Sequence, residues 1–271
     1  MDILPGPCYV ISDAHLGATP PAVERALLAF LAHIRDDARA VVINGDLFDF
    51  WFEWRTVIPR GSFRVLAALA DLRERGIELL WIAGNHDCWG GDVLRRDVGL
   101  VYHVGPWSGT IAGWRTRIEH GDGLRGHEDR RYRAIRPILR HGWAVRAFRW
   151  LHPDIATPLA TSSSHASRRT RAKDEGAGLR SVALARLDAD PQLDLLIFGH
   201  SHVPALERAA GGGVYANAGT WLEPPTYLRI TPESVELRSW PEGPDGSARA
   251  TARRGASPRD EEIASGLRPS Q

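Results

Sequence analysis

The feature that most constrains this chain is a phrase repeated along it: a short apolar run that stops at a block of acidic, amide, imidazole and small residues. The blocks are Ser12-Asp13-Ala14-His15, Gly45-Asp46-Leu47-Phe48-Asp49, Gly84-Asn85-His86-Asp87, His120-Gly121-Asp122, Gly199-His200-Ser201-His202 and Asn217-Ala218-Gly219-Thr220. Short apolar runs rich in β-branched residues read as buried strands. Side chains at the points where such strands give way to loops gather at one edge of a layered fold, where ligands are usually held.

The runs at 8–12, 40–43, 78–82, 114–119, 194–198, 214–217, 226–230 and 235–239 are the predicted strands. Leucines and alanines at spacings of three and four predict helices at 21–35 and 61–75. The chain therefore starts as βαβαβ and finishes in consecutive strands, a pattern accommodated by an α/β two-sheet sandwich flanked by helices. Trp51, Phe52 and Trp54 follow the second block and read first as core or rim packing, with the lining of a substrate groove as the alternative.

Between residues 123 and 175 the rhythm changes. Twelve arginines and lysines against five acids give this segment +7 within a chain of formal net charge +1. Ile135, Ile138, Leu139, Trp143, Ala147, Trp150 and Leu151 recur at helical spacing, with arginines mostly elsewhere, so an amphipathic helical insertion is expected. Pro153 and Pro158 should break it, ahead of a serine cluster and a second basic stretch. The predicted organisation is one domain over residues 1–240 with a basic helical cap inserted at about 123–175. From residue 241 to 271 Gly, Pro, Ser, Arg and Glu dominate without apolar periodicity, and a disordered tail is expected.

With 43% apolar residues among 271, the chain can bury a substantial core. Cys8 and Cys88 make no disulfide framework and fit a reducing cytoplasm. The N-terminus lacks the pattern of a signal peptide, and no apolar run is long enough to span a bilayer, so the expectation is a cytoplasmic protein, soluble or peripheral at a membrane.

The residue types in the blocks point to metal chemistry. Holding a pair of divalent cations takes hard oxygen donors, one of them shared, with imidazoles that favour first-row transition metals over calcium. Asp13, His15, Asp46, Asn85, His120, His200 and His202 supply that mixture. Asp46 is the candidate for the shared ligand, because a carboxylate brings two oxygens and negative charge between two cations.

In the order Asp-x-His, Gly-Asp-x-x-Asp, Gly-Asn-His-Asp, His, Gly-His-x-His, the blocks resemble the calcineurin-like metallophosphoesterase family, from about Tyr9 to Thr220. The resemblance implies that family's two-sheet sandwich and two divalent metal ions, manganese first, with iron, zinc or cobalt as alternatives. It implies that Asp13, His15 and His202 complete one half-site and Asn85, His120 and His200 the other. His86 would then be the catalytic residue, giving a proton to the leaving oxygen or stabilising transition-state charge, oriented by Asp13 or Asp49. Asp87 would support the ligands, and Asn217, Gly219 and Thr220 would shape the site wall.

Length, block order, Gly-Asp-Leu-Phe-Asp-Phe-Trp and the serine-rich then basic stretch are similar to the UDP-2,3-diacylglucosamine pyrophosphatases of lipid A synthesis. That resemblance implies an anionic, nucleotide-linked lipid as substrate, peripheral contact with the inner membrane, and substrate contacts at Ser162, Ser163, Ser164, Arg168, Arg169 and Lys173. One branch of that group resembles Gly-Asn-Arg-Asp at the third block, where this chain has His86. Competing readings are a nuclease or another phosphodiesterase of the same fold, and a metal-binding scaffold without catalysis. A nucleic-acid partner is disfavoured, and retention of His86 with every ligand argues against the scaffold.

Overall fold

A computed structural model describes residues 2–126, 129–160, 176–222, 224–241 and 250–254. Its frame is two sheets face to face. The first contains β2 (Cys8–Ile11), β3 (Ala40–Asn44), β4 (Glu78–Ile82), β5 (Val101–His103), β11 (Thr226–Ile230), β12 (Ser234–Ser239) and β13 (Ala250–Arg253), in the order β13-β12-β11-β2-β3-β4-β5. The second contains β1 (Asp2–Leu4), β6 (Trp107–Ile111), β7 (Trp114–Ile118), β8 (Leu195–Phe198), β9 (Ala205–Arg208) and β10 (Val214–Asn217), in the order β1-β6-β7-β8-β10-β9.

Alternate residues of each central strand serve different layers. Val10, Val42, Leu80 and Ile82 meet Ile118, Leu195, Ile197, Val214 and Ala216 between the sheets. Tyr9, Ile11, Val41, Ile43, Leu79 and Trp81 face outward under α1 (Pro21–Ile34) and α2 (Phe63–Glu74). On the far side α6 (Ala177–Ala189) covers Leu196, Phe198 and Tyr215. Strands buried on both faces explain the unbroken apolar runs.

This is the expected two-sheet sandwich with flanking helices, and β2, β3 and β4 run parallel, as do β7 and β8. All five therefore deliver their C-terminal ends, and the first five blocks, to one edge of the sandwich.

Between β7 and α6 stand α3 (Arg130–Leu139), α4 (Gly142–Arg149) and α5 (153–160). Helices here were expected, but Pro153 starts α5, since proline fits the first turn, where its missing N–H costs nothing, and Pro158 lies within the same helix, so neither breaks the pattern. A second difference lies past residue 241, where β13 pairs antiparallel with β12 through backbone hydrogen bonds that need no apolar periodicity. Among the described residues no helix is long and apolar enough to cross a membrane.

Candidate metal centre

Each block folds as a tight turn, and the turns interlock. Of the non-glycine residues with positive φ among those described, all but Ala112 are proposed ligands: Asp13 (53°), His15 (45°), Asp46 (53°), His200 (61°) and His202 (61°). Left-handed backbone turns the chain back at once, so a side chain at a strand end aims across the sheet edge instead of continuing over it. The glycines permit the closeness. A Cβ on Gly45, at φ +78°, would overlap the His120 ring, and one on Gly84 would overlap the Asp46 carboxylate.

The turns bring six of the seven candidates, all but Asn85, into two groups, Asp13 with His15 and the part-buried His202, and Asp46 with His120 and the part-buried His200; a third group joins His15 to Asp49 and His86. Asp46 lies between them. Its Oδ2 is 3.2 Å from His120 Nε2 and 3.8 Å from His15 Nε2. In the first group His202 Nε2 is 3.2 Å from Asp13 Oδ1 and 3.0 Å from His15 Nε2.

Buried side-chain atoms of the proposed ligands that lack a well-aligned hydrogen bond include Asp13 Oδ1, Asn85 Oδ1 and His120 Nε2. Buried polar atoms are normally satisfied, and these oxygen and imidazole atoms have electron pairs that a cation could take up. A mixed oxygen and imidazole set fits divalent transition-metal ions.

Neighbouring groups fix the donors. His120 Nδ1 donates to the Asn44 carbonyl at 2.8 Å, leaving Nε2 toward Asp46. The His200 N–H donates to Asp13 Oδ2 at 2.9 Å, and Thr220 Oγ1 donates to the Asp13 carbonyl at 2.8 Å. Asp87 accepts from the N–H groups of Gly84 (2.7 Å) and Leu47 (3.0 Å) and from Trp81 Nε1 (3.2 Å), tying the second and third blocks together. Asn217 Nδ2 donates to the Gly199 carbonyl at 3.0 Å.

The electrostatics are those of carboxylates among imidazoles. Burial drives the Asp13 and Asp46 carboxyls up, yet His202 beside the first and His120 and His86 beside the second hold both below the usual carboxylate range. Burial opposes charge on His120, but the Asp46 carboxylate pushes its pKa up to about 10. Burial, with the Asp46 charge, lifts Asp87 to about 7.

His86 stands beside the two groups. Its Nδ1 is 2.9 Å from the Asp49 carbonyl and 3.5 Å from Asp49 Oδ1, and its Nε2 is 3.9 Å from Asp46 Oδ2. Of the two orienting groups considered from sequence, Asp49 is in contact, and it also lies 3.6 Å from His15 Nδ1.

Sequence reasoning missed three anchors. Buried Glu53 accepts from the N–H groups of Gly91 (2.7 Å), Val93 (3.0 Å) and Leu94 (3.4 Å), holding the loop that follows the third block. The Asn44 carbonyl takes the His120 proton. Asp122, quoted within the fourth block without a role, receives Tyr132 Oη at 2.7 Å and Arg140 Nη2 at 3.2 Å. Only Asp122 left a signal, its adjacency to His120.

Trp51, Phe52 and Trp54 are buried. Phe50, Phe52 and Trp54 pack with Trp89 and Phe148 beneath the inserted helices, while Phe50 and Trp54 also border a cleft of about 890 Å³ with Leu16, Phe48, Ile58 and Pro158. Ser162, Ser163, Ser164, Arg168, Arg169 and Lys173 lie outside the described residues.

Comparison with known proteins gives the same reading. A UDP-2,3-diacylglucosamine hydrolase of Porphyromonas gingivalis is 35% identical over 216 residues, covering 72% of this chain and 82% of that protein. Enzymes with the same name from Aeromonas hydrophila and Pectobacterium carotovorum are 30% and 29% identical, covering 84% and 85% of this chain and 95% and 98% of their own lengths. The profile of calcineurin-like phosphoesterases matches residues 6–204. A match spanning the whole run of turns that carry the proposed ligands, with those turns folded into groups that could hold metal ions, makes this chain a metal-dependent hydrolase belonging to the calcineurin-like phosphoesterase family.

Proposed function

We propose that the chain hydrolyses the diphosphate of UDP-2,3-diacylglucosamine, giving UMP and 2,3-diacylglucosamine 1-phosphate. The observation that carries the hydrolytic part is the sharing of Asp46 between two buried donor groups. The substrate is supported by the relatives' shared activity name and by an apolar, aromatic-bordered cleft beside the site, suited to acyl chains.

Asp13, His15 and His202 would hold one divalent ion, Asn85, His120 and His200 the other, and Asp46 both; manganese is our assignment. When bound, such ions supply Lewis acidity that acidifies water and neutralises phosphoryl charge. The protein's own groups do the rest. His120 keeps Nε2 inward because its Nδ1 is engaged with Asn44. His86, with Nδ1 donating to the Asp49 carbonyl, would act as the imidazolium, giving its Nε2 proton to the leaving phosphate oxygen as the P–O bond breaks. The cap, with Ser162, Ser163, Ser164, Arg168, Arg169 and Lys173 nearby in sequence, is assigned to the substrate's phosphates and acyl chains.

Peripheral contact with the cytoplasmic face of the inner membrane follows from the same substrate. It is supported by the exposed apolar residues of the inserted helices, Trp150 (90% exposed), Ile155, Leu159, Trp143 and Ile138, interspersed with exposed Arg133, Arg146 and Arg149.

Phosphorus NMR of manganese-loaded protein with UDP-2,3-diacylglucosamine tests the proposal. UMP and the sugar 1-phosphate should appear, and His86→Ala should abolish them with metal content unchanged. An intact substrate beside cleavage of bis-p-nitrophenyl phosphate would refute the substrate while leaving the metal centre standing.

A further inference from the structure

We infer that Arg140, at the end of α3, is a positioning residue that couples the inserted helices to one half of the metal centre. The inference rests on the two-half-site reading of the donor groups, not on the identity of the substrate.

Arg140 is only 16% exposed, and its guanidinium joins two ligand-bearing turns. Nη2 lies 3.3 Å from the Gly84 carbonyl and 3.2 Å from Asp122 Oδ2. Gly84 is one peptide bond before Asn85, and its Cα packs so tightly on Asp46 that a side chain cannot fit. Asp122 is two residues after His120. One side chain from the insertion therefore grips the turn carrying Asn85 and the turn carrying His120, both assigned to the same half-site.

The grip is braced from the insertion's side. Tyr132 Oη donates to Asp122 Oδ2 at 2.7 Å, Arg136 Nε lies 3.5 Å from the same oxygen, and Trp89 Nε1 donates to the Leu139 carbonyl at 2.9 Å. Trp89 also stacks on Phe148 of α4, with ring planes 11° apart. By contrast, among the described residues Arg140 makes no hydrogen bond or ion pair to the turns of Asp13, His15 or His202. The consequence is an asymmetry: loosening Arg140 should loosen one half-site and spare the other.

Arginine suits this task because its planar fork serves acceptors on separate loops, whereas a lysine offers a point charge on a flexible stem. Groups that orient metal ligands typically change metal affinity by about 10–100-fold when removed. Coupling is also reciprocal, so an ion that tightens when the cap is docked must itself tighten the docking.

The test is a Mn2+ titration of the full-length chain by calorimetry, with hydrogen exchange followed over residues 130–151. Wild type should bind two ions and gain protection in 130–151 on loading. Arg140→Gln should weaken one ion about 10–100-fold, leave the other unchanged, and lose the metal-dependent protection. Arg140→Lys should recover only part of the loss, and it decides the matter if the glutamine variant does not fold. Arg64→Gln, on the exposed face of α2, serves as the control and should behave as wild type. Two unchanged affinities with unchanged protection would overturn the inference, as would an equal loss at both ions. Failure of the wild type to bind two ions would instead overturn the metal-centre reading.

Discussion

Loading the centre with metal should expel protons, and by a predictable amount. In the metal-free protein the Asp46 carboxylate, 3.2 Å from His120 Nε2, holds the His120 pKa up at about 10, against an ordinary value of 6.5. That nitrogen must lose its proton before it can ligate. At about pH 7.5 a gap of roughly 2.5 pH units then weakens binding by about 300-fold, or ~3 kcal/mol, relative to the unprotonated site. The sign follows from linkage. A raised folded pKa stabilises the metal-free protein fully below 6.5 and loses that contribution as pH rises through about 10, so metal competes best at high pH. The logarithm of the Mn2+ association constant should therefore rise by about one per pH unit for each proton displaced from an imidazole. Calorimetry in buffers of differing ionisation enthalpy counts the protons. No release near pH 7.5, with affinity flat between about pH 6.5 and 8.5, would refute the Asp46–His120 pairing.

Three further outcomes are expected. Gly45→Ala places a Cβ against the His120 ring at φ +78° and should cost about 1–3 kcal/mol, lowering Tm in a thermal melt by about 2–4 °C per kcal/mol. Glu53→Gln replaces a carboxylate that accepts three N–H groups with an amide that can crowd them with its own hydrogens; a loss of about 1–3 kcal/mol in urea unfolding is expected, and an unchanged midpoint would show that the anchor is dispensable. Trp150→Ser should weaken sedimentation with phosphatidylethanolamine–phosphatidylglycerol vesicles about tenfold or more while leaving cleavage of a soluble diester unchanged; equal vesicle binding would remove this residue from the membrane contact.

How much of this was legible in sequence depended on how local the signal was. Strands that feed the centre, such as 78–82 and 214–217, are continuous apolar runs and coincide with β4 and β10. The edge strands β1, β5 and β9 are three or four residues long, too short to show a period, and β6 is interrupted by Gly109, where a side chain would collide with the Trp107 ring. Helix α6 escaped because its sequence, Ala-Gly-Leu-Arg-Ser-Val-Ala-Leu-Ala-Arg-Leu-Asp-Ala, mixes polar and apolar residues without a sharp face. In the candidate centre, the proposed ligands were picked out by chemistry and spacing, and the structure gathers six of the seven, all but Asn85, into groups that could hold metal ions. The groups that hold the ligands did not: Glu53, the Asn44 carbonyl and Arg140 act on partners 38, 76 and 56 residues away, and nothing in their own neighbourhood distinguishes them.

The left-handed backbone at Asp13, His15, Asp46, His200 and His202 bears on redesign of the metal preference. Aspartate, asparagine and histidine visit this conformation several-fold more readily than most residues, and β-branched or bulky side chains there are genuine outliers. Exchanging one of these positions for glutamate or cysteine would thus be judged by the main chain before any ion could judge it, at about 1–2 kcal/mol per residue for a side chain that lacks a local hydrogen bond. Retuning the centre for a softer ion is better begun at Asn85 and His120, which do not share that backbone conformation, than at the five turns whose shape already restricts which side chain they carry.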